Sequence, residues 1–355
     1  MADTTEMSSA PIRGRGASSN PANRFEEISL EPSEDDLPEE SVAPRTHFYR
    51  DATQTIISYN DSPDIGFNAA INPYRGCEHG CIYCYARPFH EYLGFSAGLD
   101  FETRIMVKEN APELLRKELS SRTWKPQVVA MSGVTDCYQP VERRLQITRR
   151  CLEVLAEFRN PVTIVTKNFL VTRDIDHLSA LAQYQAARVH ISITTLDATL
   201  TPKLEPRASL PERRLAAIRR LRAADIPVGV LVAPLIPGLT DHELPAILSA
   251  AADAGAQHAC YVPIRLPHGV AALFEQWLEQ HFPLRKERVL HSIRAMRDGQ
   301  LNDPNFGSRM SGQGIFAEQM SQMFAVACRR AGLREEHAPL STAAFRVPSR
   351  QLSLF

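Results

Sequence analysis

The chain has 355 residues, of which 44% are hydrophobic and 23% charged, and its formal net charge is −1 at pH 7. This balance is typical of a globular protein with one large domain or two small ones, and it excludes a uniformly basic surface that would attract nucleic acid indiscriminately. No stretch is long and apolar enough for a transmembrane helix, and the start MADTTEMSSA lacks the apolar segment of a signal peptide, so we expect a cytoplasmic protein. The seven cysteines, an odd number in such a chain, favour metal or redox chemistry over a disulfide framework.

Residues 1–45 are rich in Pro, Ser, Gly and charged residues, with RGRGASSN followed by the acidic run EPSEDDLPEE. Too little apolar surface is available there to offset the entropy cost of ordering the chain. We therefore predict a disordered N-terminal tail over residues 1–45. The stretch IGFNAAINPYRG that follows is predicted to form the first strand and to lead into a loop.

That loop lies in the stretch RGCEHGCIYCYARP, which contains Cys77, Cys81 and Cys84. The C-x-x-x-C-x-x-C spacing places three thiolates on one loop, where they can bind three corners of a cubane iron-sulfur cluster. No fourth cysteine follows nearby, so one metal position would stay open for chemistry. The alternative is a structural zinc site completed by His79 or His90, although zinc sites usually pair C-x-x-C with a second, distant pair that this chain lacks.

Apolar, β-branched runs recur after this loop, separated by stretches with the periodicity of amphipathic helices. The runs are VVAM, VTIVT, VHISI, VGVLV and ACYVPI, which begin at Val128, Val162, Val189, Val228 and Ala259. Strand, helix and strand in short succession favour parallel strands joined by right-handed crossovers. With the first strand, the pattern predicts an α/β fold, a partial (β/α)6 TIM-like barrel over residues 60–265. Helical periodicity then predicts a C-terminal helical extension over residues 266–335 and a flexible tail over residues 336–355.

The run VHISI differs from the other strands because side chains alternate along it, so that His190, Ser192 and Thr194 share one polar face. Helices should cover the outer face of a parallel sheet, so we predict that the polar face points inward and lines a cavity for a ligand. The alternative is that the polar face points outward at an exposed edge.

Active sites of such barrels lie at the C-terminal ends of the strands, which makes the residues there candidate ligand contacts. These are Ser132, Gly133, Asp136 and Cys137 after the second strand, Lys167 after the third, and Glu205 and Arg214 after the fourth. Gly133 would let the backbone approach a ligand closely, Asp136 could bond its polar groups, and Lys167 could pair with a carboxylate. The alternatives are a surface lysine at position 167 and a structural ion pair between Glu205 and Arg214.

The cysteine stretch resembles the cluster-binding signature of the radical S-adenosylmethionine superfamily, and Tyr83 and Tyr85 beside it resemble the spore photoproduct lyase branch. Further pieces resemble that branch in the same order, over residues 66–264. They are the VTK that ends at Lys167, the SIT of Ser192–Thr194, the EP that begins at Glu205, the RL that begins at Arg214, and VAPLIPG from Val232. The resemblance is closer still to uncharacterised members related to that lyase, which read TDPYQP where this chain reads TDCYQP.

This resemblance implies a 4Fe-4S cluster and S-adenosylmethionine as cofactors, and a reductant such as flavodoxin or ferredoxin. It implies that the cysteines ligate the cluster, that S-adenosylmethionine occupies the unique iron, and that its cleavage yields a 5'-deoxyadenosyl radical which abstracts hydrogen from the substrate. It also implies that Lys167 and Ser192 contact S-adenosylmethionine. The other candidate cofactor-binding residues are Thr194, Ser132, Gly133, Asp136, Glu205 and Arg214.

The chain differs from the lyase at the position of the hydrogen donor. The lyase has a hydrogen-donating cysteine three positions before the aspartate, and this chain has Gly133 at that position. Cys137 follows Asp136 instead. A thiol there could return hydrogen to a product radical with Tyr83 or Tyr85 as relay, which makes these three residues catalytic candidates. Cys137 could equally be a small buried apolar residue.

The last five residues are QLSLF. This pentapeptide resembles the one with which bacterial DNA polymerases and repair proteins bind the sliding clamp, and implies that Gln351, Leu352, Leu354 and Phe355 enter the clamp groove. Apolar anchors on a flexible tether would bring the enzyme to DNA without any basic surface.

The leading interpretation is a lyase-like radical S-adenosylmethionine enzyme that repairs or modifies DNA or a nucleotide. One alternative is an enzyme of the same superfamily that acts on a peptide or a small molecule. Another is a non-catalytic, zinc-stabilised binding module associated with the clamp.

Overall fold

A computed structural model describes residues 10–25, 44–131 and 133–348. The strands are β1 (His47–Arg50), β2 (Ile57–Tyr59), β3 (Ala69–Ile71), β4 (Tyr74–Arg75), β5 (Arg104–Val107), β6 (Val129–Met131), β7 (Val162–Thr166), β8 (Ala187–Ser192), β9 (Val228–Leu235) and β10 (His258–Pro263). The helices are α1 (Leu99–Thr103), α2 (Ala111–Leu119), α3 (Glu142–Leu145), α4 (Ile147–Phe158), α5 (Ile175–Ala182), α6 (Thr201–Leu204), α7 (Pro211–Ala223), α8 (Leu244–Asp253), α9 (Gly269–His281), α10 (Lys286–Ala295), α11 (Ser308–Ser311) and α12 (Gly314–Ala331). Short 3-10 helices are formed by Arg87–Leu93, Phe169–Asp174, Asp241–Glu243 and Pro283–Arg285.

The central sheet contains six parallel strands that lie side by side in chain order, β3, β6, β7, β8, β9 and β10. Helices α4, α5, α7 and α8 supply the crossovers that parallel neighbours require. The sheet has β10 at one edge, and β2 pairs antiparallel with β3 at the other. The predicted partial (β/α)6 barrel is confirmed.

Burial explains why these segments form the strands of the sheet. All six residues of β8 and all three residues of β6 are buried, as expected for parallel strands covered on both faces. The same apolar runs that the sequence presents as strands therefore fill the core between sheet and helices. Within the described residues, no helix combines the length and the apolar character needed to cross a membrane.

A second, smaller sheet positions the loop that carries the three cysteines. In it β5 pairs in parallel with β1 and antiparallel with β4. Strand β4 ends directly before residues 76–86, which we call the cysteine loop. The backbone N–H of Cys77 then donates to the carbonyl oxygen of Phe101 at 2.8 Å, which anchors the start of the loop to α1.

The N-terminal region differs from the predicted disordered tail at residues 10–25. Residues 15–23, which we call the N-terminal strap, cross the cysteine loop and α1. The carboxylate of Glu102 accepts the backbone N–H groups of Gly16 (3.1 Å) and Ala17 (2.9 Å), and Asn20 bonds Asp100 through its side chain (3.2 Å). Composition does not reveal this order, because a buried carboxylate elsewhere in the fold satisfies the backbone of the strap.

The C-terminal part contains the predicted helices, α9 to α12, and α12 packs against α8. The segment after them differs from the predicted flexible tail up to residue 348. The backbone N–H of Ser341 donates to the carbonyl of Gln185, that of Arg346 donates to the carbonyl of Phe158, and the ring of Phe345 packs on Phe158. The predicted clamp-binding residues Gln351, Leu352, Leu354 and Phe355 lie outside the described residues.

The polar face of β8 divides between two environments. His190 contacts His258, with their Nε2 atoms 2.9 Å apart, and His337 from the C-terminal segment packs against both rings. Gly229 makes room for this cluster, since a Cβ there would lie 2.2 Å from Nε2 of His258. Ser192, two residues further along β8, lies in the candidate site instead.

We predict that Gly16→Ala releases the N-terminal strap from the cysteine loop. An added Cβ would lie 1.8 Å from the carbonyl oxygen of Gly80, so the backbone would have to move. We expect the free energy of unfolding in urea to fall by about 1–3 kcal/mol, and proteases to cleave the strap faster. Gly66→Ala is the matched control, because nothing lies within 4 Å of its added Cβ. Equal behaviour of the two variants would contradict the tight packing of the strap.

Candidate active site

The cysteine loop obtains its shape from two glycines and a series of turns. Gly76 and Gly80 have φ values of +79° and +66°, which glycine adopts without steric cost. The N–H of Gly80 donates to the carbonyl of Cys77 (3.3 Å), and the N–H of Cys84 donates to that of Cys81 (3.2 Å). Three cysteines therefore lie on consecutive tight turns instead of on a helix.

Arg87 fixes these turns from the inside. Its guanidinium is fully buried and donates to the carbonyl oxygens of Cys81 (3.0 Å) and Gly80 (3.2 Å), and to two further carbonyls between the 3-10 helix and α1. The same group pairs with the buried carboxylate of Glu102 at 2.5 Å. Sequence reasoning missed both residues, although a charged side chain three positions after the last cysteine is a signal that could have found Arg87.

The three thiols are free, and they fit an iron-sulfur cluster by their chemistry. Burial raises the pKa of each, and nearby carboxylates add to this effect, Asp136 for Cys77 and Glu205 for Cys81. Such thiols lose their protons readily only when a metal ion binds the sulfur in place of the proton. Within residues 10–25, 44–131 and 133–348, no group of three or more His, Cys, Asp or Glu side chains is placed to hold a single metal ion. A cubane makes a different demand, since each thiolate binds its own iron.

The two histidines of the zinc alternative make contacts away from the thiols, although Nε2 of the buried His90 has no hydrogen-bond partner among the described residues. Nδ1 of His79 lies 3.3 Å from the carboxylate of Asp136, and its Nε2 lies 3.1 Å from the side-chain amide of Asn168. The ring of His90 stacks on Phe95 and meets Phe101 edge-on. The structure therefore places both rings in contacts that do not involve the thiols.

Asp136 ties the cysteine loop to the ends of two strands. Its carboxylate accepts the hydroxyl of Thr166 (2.8 Å) and the backbone N–H of Lys167 (2.8 Å), in addition to its contact with His79. Burial alone would raise the pKa of Asp136, but His79 and the hydrogen bonds outweigh it and the pKa is lowered. The carboxylate thus positions Lys167 from behind, and its own oxygens are occupied by protein groups.

Lys167 lies where β7, β8 and β9 come together. Its ammonium donates to the hydroxyl of Ser192 (2.6 Å) and to the carbonyl of Ala233 (2.8 Å), and it lies 3.5 Å from the carboxylate of Glu205. The ammonium also stands 5.8 Å from the centre of the Tyr83 ring. Of the predicted cofactor-binding residues, the structure therefore brings Lys167, Ser192 and Glu205 together beside the cysteine loop.

Glu205 is the centre of a buried network. It pairs with Arg214 and accepts hydrogen bonds from the hydroxyls of Tyr83 and Thr194, and its side chain and that of Arg214 are each 1% exposed. Burial would raise the pKa of Glu205, but the charges of Arg214 and Lys167 reverse this and lower it. Burial and the charge of Glu205 raise the pKa of Tyr83 well above its usual value, so that Tyr83 keeps its proton.

The remaining predicted residues lie in different surroundings. The hydroxyl of Tyr85 donates to the carbonyl of Gly133 at 2.7 Å, which places both at the mouth of the barrel. Cys137 is fully buried in the main hydrophobic core with Tyr74 and Tyr138, whereas Tyr83 belongs to a separate cluster. Ser132 lies outside the described residues. The donor role of Cys137 stays a prediction.

The chain matches a known protein family and several relatives in sequence. The sequence model of the Radical SAM superfamily matches residues 71–251. An uncharacterised protein of Mycobacterium tuberculosis H37Rv is 37% identical over 219 residues, which cover 61% of this chain and 64% of that protein. The chain thus spans less than two thirds of that relative. A protein of Pseudomonas phage M6 named radical SAM Nalpha-GlyT isomerase is 30% identical over 182 residues, which cover 50% of this chain and 35% of that protein.

Among solved structures, spore photoproduct lyase complexed with dinucleoside spore photoproduct matches with a TM-score of 0.58 and 17% identity. The match covers 81% of this chain and 80% of the lyase. A mutant of the same lyase has bound AdoMet together with the dinucleoside and matches with a TM-score of 0.57. At this level of identity the comparison shows a shared fold.

We predict that Glu205→Gln strongly destabilises the protein, because it leaves the guanidinium of Arg214 buried without a counter-charge. We expect the free energy of unfolding, measured by denaturant titration, to fall by about 3–5 kcal/mol. The matched control is Glu157→Gln, which removes the same charge from an exposed pair with Arg116 (38% and 43% exposed) and should cost less than about 1 kcal/mol. A small effect at both positions would rule out the network as a source of stability.

Proposed function

The chain belongs to the radical SAM superfamily and is a radical S-adenosylmethionine enzyme, and we propose from this premise that its substrate is a nucleic acid or a nucleotide. The family implies a 4Fe-4S cluster and S-adenosylmethionine. The observation that carries the assignment of roles is that three free thiols, two of them buried, lie near the charged pair of Lys167 and Glu205.

In this proposal Cys77, Cys81 and Cys84 bind the cluster, and Lys167 and Ser192 bind S-adenosylmethionine. When bound, the two cofactors supply a 5'-deoxyadenosyl radical that abstracts a hydrogen atom from the substrate. The residues of this chain hold and orient them. The ammonium of Lys167 offers a positive charge to a carboxylate, and the hydroxyl of Ser192 at 2.6 Å keeps that ammonium pointed into the site.

Three buried or partly buried charged residues beside the thiols set the charge balance of the site. Glu205 pairs with Arg214 and also lies 3.5 Å from Lys167, so two cations face one carboxylate and a positive charge remains for an incoming carboxylate. Tyr83 of the cysteine loop stays protonated, donates its hydroxyl hydrogen to Glu205 and has its ring 5.8 Å from the ammonium of Lys167. We propose that this arrangement keeps water and stray protons away from the reacting atoms. Thr194 donates to the same carboxylate and fixes its orientation.

Two lines of support point to nucleic acid in preference to a peptide or another small molecule. The fold matches, over four fifths of each chain, that of a lyase whose structure contains a dinucleoside spore photoproduct. The chain also ends in QLSLF, which resembles the clamp-binding pentapeptide. A tether to the clamp would place the enzyme on DNA despite a net charge of −1.

The cluster assignment is tested by anaerobic reconstitution. We expect the native protein to bind iron and sulfide and to turn brown, and the triple variant Cys77→Ala, Cys81→Ala, Cys84→Ala to lose both, because its ligands are removed. Cys260→Ala, which changes a cysteine of β10 far along the chain, is the control and should keep the cluster. A colourless native protein saturated by one zinc ion would overturn the proposal and favour the binding module.

The substrate class is tested with deuterium. We expect deuterium to move from labelled oligonucleotides or nucleosides into 5'-deoxyadenosine, as measured by mass spectrometry, and Lys167→Met to reduce the transfer by weakening S-adenosylmethionine binding. Transfer from labelled peptides alone would contradict the nucleic-acid proposal and leave the superfamily assignment intact. Cys137→Ala in the same assay decides the donor role, since a lost donor changes the product and leaves the first abstraction unchanged.

The clamp partner is tested by deletion of Gln351–Phe355. We expect full-length protein to be retained on immobilised bacterial sliding clamp and the truncated protein to pass through, because the apolar anchors are lost. Leu354→Ala with Phe355→Ala should behave like the truncation, and Ser353→Ala should bind normally. Equal retention of full-length and truncated protein would remove this link to DNA.

A further inference from the structure

Arg265 lies two residues beyond the C-terminal end of β10, the edge strand of the central sheet. Its guanidinium is half-buried and stands 5.0 Å from the centre of the Tyr85 ring. Tyr85 directly follows Cys84, is 43% exposed, and donates its hydroxyl to the carbonyl of Gly133. Arg265 therefore contacts the cysteine loop through the ring of Tyr85, on a side that solvent reaches.

Arg265 has no ion-pair partner within the described part of the chain. Its guanidinium contacts the Tyr85 ring, and no hydrogen bond to a described residue is formed. The neighbouring Arg309 is satisfied, since its guanidinium pairs with Asp64 (2.6 Å) and donates to Ser62 (2.5 Å). The donors of the half-exposed Arg265 are therefore open to an anion, which would form charge-assisted hydrogen bonds with them.

The backbone beneath Arg265 is held rigidly. The buried guanidinium of Arg297 donates to the carbonyls of Ile264 (2.8 Å and 3.0 Å) and Pro263 (3.2 Å), directly before Arg265. It also donates to the carbonyl of Arg309 (3.1 Å), which links the two neighbouring segments. When the backbone of an arginine is fixed, its planar guanidinium binds an anion with little loss of conformational entropy of the chain.

Positive charge exceeds negative charge in this region. Burial lowers the pKa of Arg265, and the charge of Arg309 acts in the same direction, whereas Tyr85 and Asp64 oppose it. The pair of Arg309 and Asp64 is neutral as a unit. The guanidinium of Arg297 directs its donors to backbone carbonyls, so Arg265 is the one of these three arginines whose donors are open to an added anion.

We propose that Arg265 is a substrate-binding residue that takes a phosphate of the substrate, with the Tyr85 ring as the wall of that subsite. The inference rests on the proposed function and deepens it, because it assigns the substrate a phosphodiester or a phosphate close to the reacting group. Arginine binds phosphate through two parallel hydrogen bonds, and the adjacent aromatic face can stack a base. A free nucleoside would lack this contact.

The test compares two dinucleotides that differ in one charge, thymidylyl-thymidine and its methylphosphonate analogue. Binding to the full-length, cluster-loaded protein is measured by equilibrium dialysis over a range of salt concentrations. We expect the native protein to prefer the charged dinucleotide by about tenfold, with a preference that falls as salt rises. Arg265→Met should abolish the preference, whereas Arg265→Lys should keep part of it through the retained charge.

The matched control is Arg219→Met, which removes one positive charge from an exposed position on α7. It should keep the tenfold preference. Thermal unfolding verifies that the Arg265 variants fold, and we expect a loss of stability of no more than about 1 kcal/mol, because the contact with the exposed Tyr85 ring is the one that is lost. An unchanged preference in Arg265→Met would overturn the proposal.

Two further measurements are needed. One distinguishes a substrate phosphate from the cofactor carboxylate as the anion that Arg265 binds, and the other distinguishes failure of the phosphate site from failure of the proposed function. Affinity for S-adenosylmethionine should be the same in Arg265→Met and in the native protein. A loss there equal to the loss for the charged dinucleotide would assign Arg265 to the cofactor carboxylate and overturn the proposal. Deuterium transfer from oligonucleotides that is unaffected by Arg265→Met would refute the phosphate site and leave the proposed function standing. Phosphate-dependent binding without deuterium transfer would support the phosphate site and contradict the proposed function.

Discussion

The buried pair of Arg87 and Glu102 is the interaction on which the site depends. A loop with three cysteines has no helix or strand to satisfy its carbonyl groups, and an unsatisfied buried carbonyl is costly. Arg87 donates hydrogen bonds to the carbonyls of Gly80 and Cys81. Glu102 neutralises the charge of Arg87 and also accepts two N–H groups of the N-terminal strap. The loop, the strap and α1 are therefore one polar unit around a single ion pair.

Glu205 and Arg214 form a second buried charge pair in the site. Glu205 and Arg214 neutralise each other, and the hydroxyls of Tyr83 and Thr194 complete the hydrogen bonds of the carboxylate. Lys167 adds a second cation beside Glu205, and Arg265 adds a further positive charge next to Tyr85. In a chain with net charge −1, recognition of an anionic substrate thus relies on local charges placed by the fold.

The sequence was most informative about features that depend on residues close together in the chain. The spacing of Cys77, Cys81 and Cys84 indicates a metal cluster because the three side chains lie on one short loop whatever the rest of the chain does. The apolar runs predicted the six parallel strands, because burial on both faces of a parallel sheet requires such runs. Composition was misleading for residues 10–25 and 336–348, where polar segments pack on partners that are distant in the chain.

By itself the sequence determined the α/β class, the order of the strands, the cysteine loop and the strand ends that carry polar residues. Only the tertiary structure decided which of these residues meet. Lys167, Ser192 and Glu205 come together and Cys137 is placed in the main core, a difference that no spacing along the chain reveals. The physical reason is that burial, pairing of charges and side-chain direction depend on neighbours tens of residues away. Arg87 with Glu102 and Arg265 with Tyr85 are contacts of that kind.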